Sequence, residues 1–199
     1  MGLLGRLFRR TSKPQSQQDR LLALASARIT LESVYRLHPL GSAGVCFRPQ
    51  STSAFENLLA DLPGLLGIAQ REAGTRFRLL PDEYGTRWVV LQDRDFDDLL
   101  SAVQLAADTF RERGFGAQVL AAVFPFRSEA DFEGKRRTVV WIYHFRRATF
   151  YPFIPRPGQK RDTAEELAIA SKMEKELPIE KELEAWYPLW GIPFLEEAG

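Results

Sequence analysis

The residue types that most often perform catalysis are scarce in this sequence. It has one cysteine, Cys46, and two histidines, His38 and His144. A catalytic thiol needs a base and an accessible, electropositive setting. Cys46 instead follows Val45 and precedes Phe47 in an apolar run, where a cysteine usually packs as a small hydrophobic side chain. We therefore expect Cys46 to be structural.

Metal and nucleotide sites have no clearer support. The cysteine and histidines lack the spacing of zinc ligands, and neither the Walker A nor the GxGxxG phosphate-binding pattern is present. The acid pairs at residues 82–83 and 97–98 fall in an expected turn and helix start, where acids are common. We expect no catalytic residue, no cofactor and no metal, and hence an accessory or binding protein rather than an enzyme.

The composition is that of a packed globular protein. Of 199 residues, 45% are hydrophobic and 12% aromatic, enough to form a sizeable core in one domain. A single cysteine excludes an intrachain disulfide, which fits a reducing cytoplasm. No apolar run suits a signal peptide or the ~20 residues of a membrane span. The expected organisation is a tail and linker at 1–18 and one α+β domain at 19–199, with a helical and aromatic C-terminal segment packed across it.

Periodicity predicts the elements that position these residues. Alternation from Ile29 to Leu37 predicts a strand after a short helix at 19–27, and Val45 and Phe47 lie in a second strand. Ser53 with Glu56 has capping-box spacing and predicts a helix that ends or kinks near Pro63.

The rest of the chain continues this pattern. A hairpin is expected at 75–92 and a helix at 96–110, followed by apolar strands at 118–126, 138–145 and 149–154, with Pro152 marking the last as an edge strand. Asp162 caps a further helix to about Leu177, and Pro178 begins a short one. The fold class is α+β, a mostly antiparallel sheet of about six or seven strands with helices packed on one face.

The first ten residues form a basic amphipathic pattern. On a helix, Leu3, Leu4, Leu7 and Phe8 lie on one side, and Arg6, Arg9 and Arg10 lie on the other. That separation is typical of a helix lying in an anionic membrane surface, although so short a helix binds weakly alone. The alternatives are a disordered tail and one that docks on its own domain. The polar linker at 11–18 would let it act independently.

Charge is unevenly distributed along the chain. Residues 131–161 contain eight basic and two acidic side chains, and residues from 162 onward contain ten acids and three lysines. Either the two regions meet separate partners, or the basic strands are neutralised by the acidic segment that follows. The second interpretation is favoured.

Two aromatic segments could form binding surfaces. Val139, Trp141, Tyr143 and Phe145 share one face of a strand between two arginines, an arrangement that can stack single-stranded bases. Core packing explains the pattern more simply, so nucleic-acid binding is an alternative only. Near the C-terminus, aromatic and proline residues either pack on the domain or meet a protein partner. The candidate partner contacts are Tyr151, Phe153, Trp186 and Trp190.

Five segments together resemble the PspA-associated protein PspAB family. They are the opening Met-Gly-Leu-Leu and the segments 43–49, 82–85, 149–153 and 190–193. The resemblance implies an accessory factor of the phage-shock type of envelope-stress response, linked to the membrane-remodelling protein PspA, and it implies no catalytic residues. The order of elements is also similar to the type III secretion chaperone-like fold, a binding scaffold, though fold alone does not establish function.

The leading hypothesis is therefore a non-enzymatic adaptor that binds a PspA-like protein. The tail would hold it peripherally at the inner face of the cell membrane, so the expected location is the cytoplasm. The alternatives are a chaperone-like module that binds proteins in general, a single-stranded nucleic-acid binder and, with least support, an unrecognised enzyme.

Overall fold

A computed structural model describes residues 16–130 and 134–195 of the protein, except for the side chains of residues 68–70. The helices in these residues are α1 (Gln17–Ser33), α2 (Ser53–Ala73), α3 (Phe96–Glu112) and α4 (Thr163–Met173). The strands are β1 (Leu37–Pro39), β2 (Ser42–Phe47), β3 (Arg76–Pro81), β4 (Arg87–Gln92), β5 (Val119–Ser128), β6 (Thr138–His144), β7 (Thr149–Phe153), β8 (Pro155–Arg156) and β9 (Lys160–Arg161). This is the α+β fold that the sequence predicts.

Seven strands form one antiparallel sheet in the order β3-β4-β2-β5-β6-β7, and β1 also pairs with β5. Strands β1 and β2 both lie along β5, with Pro39 opposite Phe126 and Gly44 opposite Val123. Strands β1 and β2 follow one another along β5 and are interrupted at Gly41, which has a positive φ of 66°. A Cβ atom there would lie 2.9 Å from the Asp93 carbonyl oxygen, so glycine suits this break. Strand β7 is an edge strand, as Pro152 predicts.

Helices α1, α2 and α3 cover one face of the sheet. The Phe47 ring of β2 lies 4.7 Å from the Phe110 ring of α3, and Phe96 of α3 contacts both Phe124 and Phe126 of β5. Helix α4 packs against β7 instead, where its buried Glu166 accepts a hydrogen bond from the backbone N–H of Ile154. The buried apolar side chains form one cluster that extends from Leu21 to Phe194.

The strand expected from Ile29 to Leu37 is wrong. Residues up to Ser33 belong to α1, which begins at a capping box between Ser16 and Asp19, and only Leu37–Pro39 form a strand. The buried positions of α1 are Leu21, Leu24, Ala27 and Leu31. Their spacing of three, three and four residues is helical. The alternation was a coincidence, because Ile29 is 63% exposed.

Neither proline marks a helix boundary, so of the two outcomes expected at Pro63 the helix end is wrong. Helix α2 passes through Pro63 and continues to Ala73, because Leu62 and Leu66 on either side are buried in the core. Its first turn is capped by Thr52, whose hydroxyl accepts from the N–H of Phe55. No helix begins at Pro178: its carbonyl accepts from Phe150 and the N–H of Glu180 donates to Phe150. Helix α4 ends at Met173, before the expected Leu177.

Candidate functional site

The face of the sheet opposite α1–α3 is covered by the chain's own C-terminal segment. Val45 and Phe47 of β2 face the helices. Because side chains alternate along a strand, positions 44 and 46 of β2 face the opposite side. Cys46 lies opposite Trp88 of β4 in the ladder. Across this face run residues 183–195, which we call the strap.

Three aromatic side chains of the strap, four residues apart, each contact one ring of the sheet. Trp186 stacks on Tyr151 at 6.0 Å, Trp190 meets Phe153 edge-on at 4.9 Å, and Phe194 meets Trp88 edge-on at 6.0 Å. Such pairs add about 0.5–1.5 kcal/mol each beyond the burial of apolar area. The strap is therefore an integral layer of the fold.

Hydrogen bonds fix the strap where it begins. The Tyr151 hydroxyl donates to the carbonyl of Tyr187 at 3.0 Å, and Arg161 Nη1 donates to the carbonyl of Trp186 at 2.7 Å. The indole N–H of Trp186 donates to the carbonyl of Glu180 at 3.2 Å. These bonds involve side chains of the sheet, of β9 and of the strap itself rather than a continuous strand ladder.

The β3–β4 turn supports the strap's second half. The Asp82 carboxylate accepts from the backbone N–H groups of Tyr84 and Thr86, from the Thr86 hydroxyl and from the indole N–H of Trp88. Burial opposes ionisation of Asp82, but these hydrogen bonds outweigh it and lower its pKa. Beyond the turn, Gly191 has a φ of 66°, and a Cβ atom there would lie 3.0 Å from the Tyr84 ring.

Between the strap and the sheet is a cavity of about 230 Å³. Its walls are mostly apolar, with Cys46 and Trp88 on the sheet side and Leu189 and Trp190 on the strap side. Burial raises the pKa of the Cys46 thiol to about 11, only partly offset by its hydrogen bond to Thr86. A thiol that stays protonated at neutral pH is a poor nucleophile, so this cavity is suited to apolar binding rather than thiol chemistry.

The histidines do not join Cys46. His144 and Cys46 lie on β6 and β2, with β5 between them, and His38 lies on β1, 3.3 Å from Glu129. Burial and the charge of Arg147 lower the pKa of His144. Among the described residues, no group of three or more His, Cys, Asp or Glu side chains could hold a metal ion.

The surface proposed for nucleic acids lies inside the protein. Val139, Trp141 and Tyr143 are fully buried on the sheet face beneath the helices, and the Tyr143 hydroxyl donates to the carbonyl of Gln17 in α1. Only Phe145, at the following turn, is partly exposed. Bases therefore cannot stack on this face in the folded protein.

The candidate partner contacts all lie at the strap, but at different depths. Tyr151, Phe153 and Trp186 are buried, and Trp190 is half-buried. Their role in partner binding stays a prediction, and in this structure the first three hold the strap in place. The apolar and basic residues proposed to contact membrane, Leu3 to Arg10, lie outside the described residues.

Four arginines of the basic region pair with acids of the following segment. Arg137 and Arg156 contact Glu165, Arg161 contacts Glu166, and Arg147 contacts Glu180 and Glu182. The favoured interpretation, in which the acidic segment neutralises the basic strands, is therefore correct for these side chains. The paired acids occupy α4 and the segment leading to the strap.

The sequence did not single out several residues that build this site. Gly44 lies against Phe194, and Arg161 joins β9 to the strap. A usable signal did exist, because four of the five segments named for the resemblance meet here. Residues 43–49, 82–85, 149–153 and 190–193 supply Gly44, Asp82, Tyr151 and Trp190 respectively.

Fold and site together define an α+β protein whose antiparallel sheet is covered by helices on one face and by its own aromatic C-terminal strap on the other. A family model described as PspAB, PspA associated protein B, matches residues 1–194, nearly the whole chain. The chain belongs to this family. That membership indicates an accessory role linked to PspA and is consistent with the phage-shock response.

No curated protein and no solved structure matches the chain. The likeness to the type III secretion chaperone-like fold therefore stays a prediction. In the part of the chain that the structure describes, no helix is long and apolar enough to cross a membrane.

Proposed function

We propose that this chain is a non-enzymatic adaptor that binds a PspA-like protein through the outer surface of its strap. The carrying observation is that four of the five segments that resemble the PspAB family lie at the strap and its supports. The outer surface there presents Tyr187, 58% exposed, Leu183, 52% exposed, and Tyr84, 53% exposed, beside half-buried Trp190. Tyrosine and tryptophan are enriched among residues that dominate protein interfaces.

Substitutions on this surface test the partner. The side chains of Leu183 and Tyr187 are exposed, so the double variant Leu183→Ser/Tyr187→Ser should fold normally and bind the cognate PspA-like protein at least tenfold more weakly, a loss of about 1.4 kcal/mol. Ile29→Ser is the matched control, since Ile29 is at least as exposed, at 63%, but lies on α1. Isothermal titration calorimetry measures both. Unchanged affinity in the double variant would refute the strap surface, and no binding by the wild-type chain would refute the adaptor role.

The tail supports a second part of the proposal, attachment to the anionic inner face of the cell membrane. Leu3, Leu4, Leu7 and Phe8 would insert and the three arginines would face lipid headgroups. Vesicles with phosphatidylglycerol should sediment the full chain, and Leu7→Ser/Phe8→Ser should remain in the supernatant. Vesicles of phosphatidylcholine alone should sediment little of either. Equal sedimentation of the full chain and of the Leu7→Ser/Phe8→Ser variant would contradict this role for the tail.

A further inference from the structure

A groove of about 320 Å³ lies at the start of α1, away from the strap cavity. Its walls come from Gln17 and Gln18 of α1, the last turns of α3, the short 3-10 turn at Gly116–Gln118 and the β6–β7 turn. Ala107, Val119 and Phe145 give it an apolar floor, and Gly116 and Ala117 form a low rim. None of the functions discussed above uses this groove.

The groove is fixed to the point where the N-terminal segment joins the domain. The Gln17 side-chain amide donates to the carbonyl of Phe145, and the carbonyl of Gln17 accepts from the Tyr143 hydroxyl at 2.7 Å. Ser16 and Asp19 cap the helix at the same place. Ser16, the first described residue, therefore lies next to the wall of the groove.

We propose that the apolar side of the N-terminal tail docks in this groove, with Leu7 and Phe8 as its anchors. Seven residues, 9–15, lie between Phe8 and Ser16, and the eight Cα–Cα steps can span at most about 29 Å when extended. The groove begins at the far end of that connection, so the tail is held near it at an effective concentration on the order of millimolar. A cavity of about 150 Å³ already accommodates a benzene ring, so this groove has room for a phenyl ring and a leucine side chain.

Charge favours this groove over the pocket beside Arg36. The two pockets at the α2–β3 connection, of about 610 Å³ and 390 Å³, are larger, but no residue of α1 lines them, so the groove is the one at the point where the tail joins the domain. The groove's charged residues, Asp108 and Arg111, pair with each other at 2.8 Å and leave no net charge. The pocket beside Arg36 is lined by five basic residues and two acids, which would repel Arg6, Arg9 and Arg10. In the neutral groove the apolar side can enter while the arginines remain in water.

Docking would make the tail a switch. Leu7 and Phe8 cannot occupy the groove and insert into lipid at the same time, so the groove would hold the tail until an anionic membrane competes for it. The competition rests on the proposed membrane role, whereas docking itself requires no lipid.

Paramagnetic relaxation tests the docking in the full-length chain. With Cys46→Ser to remove the native thiol and a spin label on Gly5→Cys, we expect the amide signals of Ala107, Gly116 and Ala117 to lose more than half their intensity. The amide of exposed Ala130, which follows the far end of β5, about 30 Å along the strand from Val119, should keep its intensity. Full intensity at the groove amides would overturn the proposal.

Two variants separate docking from chance encounters. Ala117 is exposed on the rim, so Ala117→Phe should fill the groove without disturbing the core and should restore the signals of Ala107 and Gly116. Ala130→Phe, at an exposed alanine beyond the far end of β5, is the matched control and should leave the broadening unchanged. Leu7→Ser/Phe8→Ser should restore the signals as well. Broadening that persists in Ala117→Phe or in the serine variant would refute docking by these anchors.

Vesicles of phosphatidylglycerol distinguish this proposal from the membrane role. If the vesicles sediment the chain, but the groove amides show no broadening without vesicles, the docking proposal is refuted and the membrane role is supported. Broadening without sedimentation supports docking and refutes the membrane role. If both occur, bicelles that contain phosphatidylglycerol and are small enough for bound chains to give amide signals should restore the groove signals; persistent broadening in bicelle-bound chains would overturn the competition.

Discussion

Gly44 lies where the strap passes closest to β2. A Cβ atom at this position would be 2.5 Å from Cε1 of Phe194 and 2.9 Å from Cε3 of Trp88. Both rings are buried and contact each other, so neither can yield without exposing apolar surface. We predict that Gly44→Val displaces Phe194 and costs about 1–3 kcal/mol, the usual cost of overpacking. Urea denaturation measures this loss.

Gly64 provides the control for that change. It lies in α2 with nothing within 4 Å of an added Cβ, so Gly64→Ala should stabilise the protein by about 0.5–1 kcal/mol. If Gly44→Val were as stable as the wild type, the close packing of strap on sheet would be wrong.

Glu180 makes the stability depend on acid pH. Its carboxylate accepts from Arg147 and Thr149, and the hydrogen bonds from Arg147 chiefly lower its pKa from 4.5 to about 2. A pKa that is lower in the folded state adds stability above the unfolded value, and this stability is lost as pH falls. Unfolding free energy should therefore decrease between about pH 4.5 and pH 2. Glu180→Gln should reduce stability by about 2 kcal/mol at pH 7 and flatten that part of the pH profile.

The control for Glu180 is Glu174, which pairs with Lys181 at an exposed position. Glu174→Gln should change stability by less than about 0.5 kcal/mol. A Glu180→Gln variant with the wild-type slope between pH 4.5 and pH 2 would exclude Glu180 as the cause.

Individual residues differ in how far sequence predicts them. The structural role of Cys46 could be inferred because its neighbours are apolar. The need for glycine at position 44 could not, because the atoms that it must avoid belong to Phe194, which is 150 positions along the chain. Asp82 was read as an ordinary turn acid, although its bond to the Trp88 indole makes it part of the site.

Helix α1 allows a test at the scale of an element. Were residues 29–37 a strand, Ile29 and Leu31 would share a face, but in α1 Ile29 is 63% exposed and Leu31 is fully buried. Ile29→Ala should change the unfolding free energy by less than about 0.5 kcal/mol. Leu31→Ala should cost about 2–5 kcal/mol because it leaves a cavity. Thermal or urea denaturation measures the unfolding free energy of both variants. Similar losses of stability in the two would contradict the helical assignment of residues 29–33.

The elements that sequence predicted best are those marked by local patterns. The hairpin at β3–β4 was predicted from the proline and glycine of its turn, α3 from a helical stripe, and β5 to β7 from apolar runs, and all of these signals are local. The segment from Pro178 was misread because its extended form depends on hydrogen bonds to Phe150 in β7. Local propensity contains no information about such a partner, and the same reason hid the passage of α2 through Pro63.

At the scale of the whole molecule, Arg161 connects three layers. Its guanidinium donates to the buried carboxylate of Glu166 in α4 and to the carbonyl of Trp186 in the strap, and it lies 5.5 Å from the Phe153 ring of β7. A planar guanidinium can make these contacts together, whereas an ammonium group cannot. This one side chain therefore couples the strap to the acidic helix and to the edge of the sheet.

Arg161→Lys should loosen the strap without unfolding the sheet. The N–H of Trp186 bonds to Leu183 and that of Leu195 bonds to Ile192, so local opening of the strap sets their hydrogen exchange. A loss of about 1.4 kcal/mol in strap stability would speed exchange at these two amides about tenfold, while amides of β5 keep their protection. Arg113→Lys, at an exposed pair with Asp61, should change neither. Unchanged exchange at Trp186 in Arg161→Lys would mean that the ring contacts alone hold the strap, because they are the contacts that the substitution leaves intact.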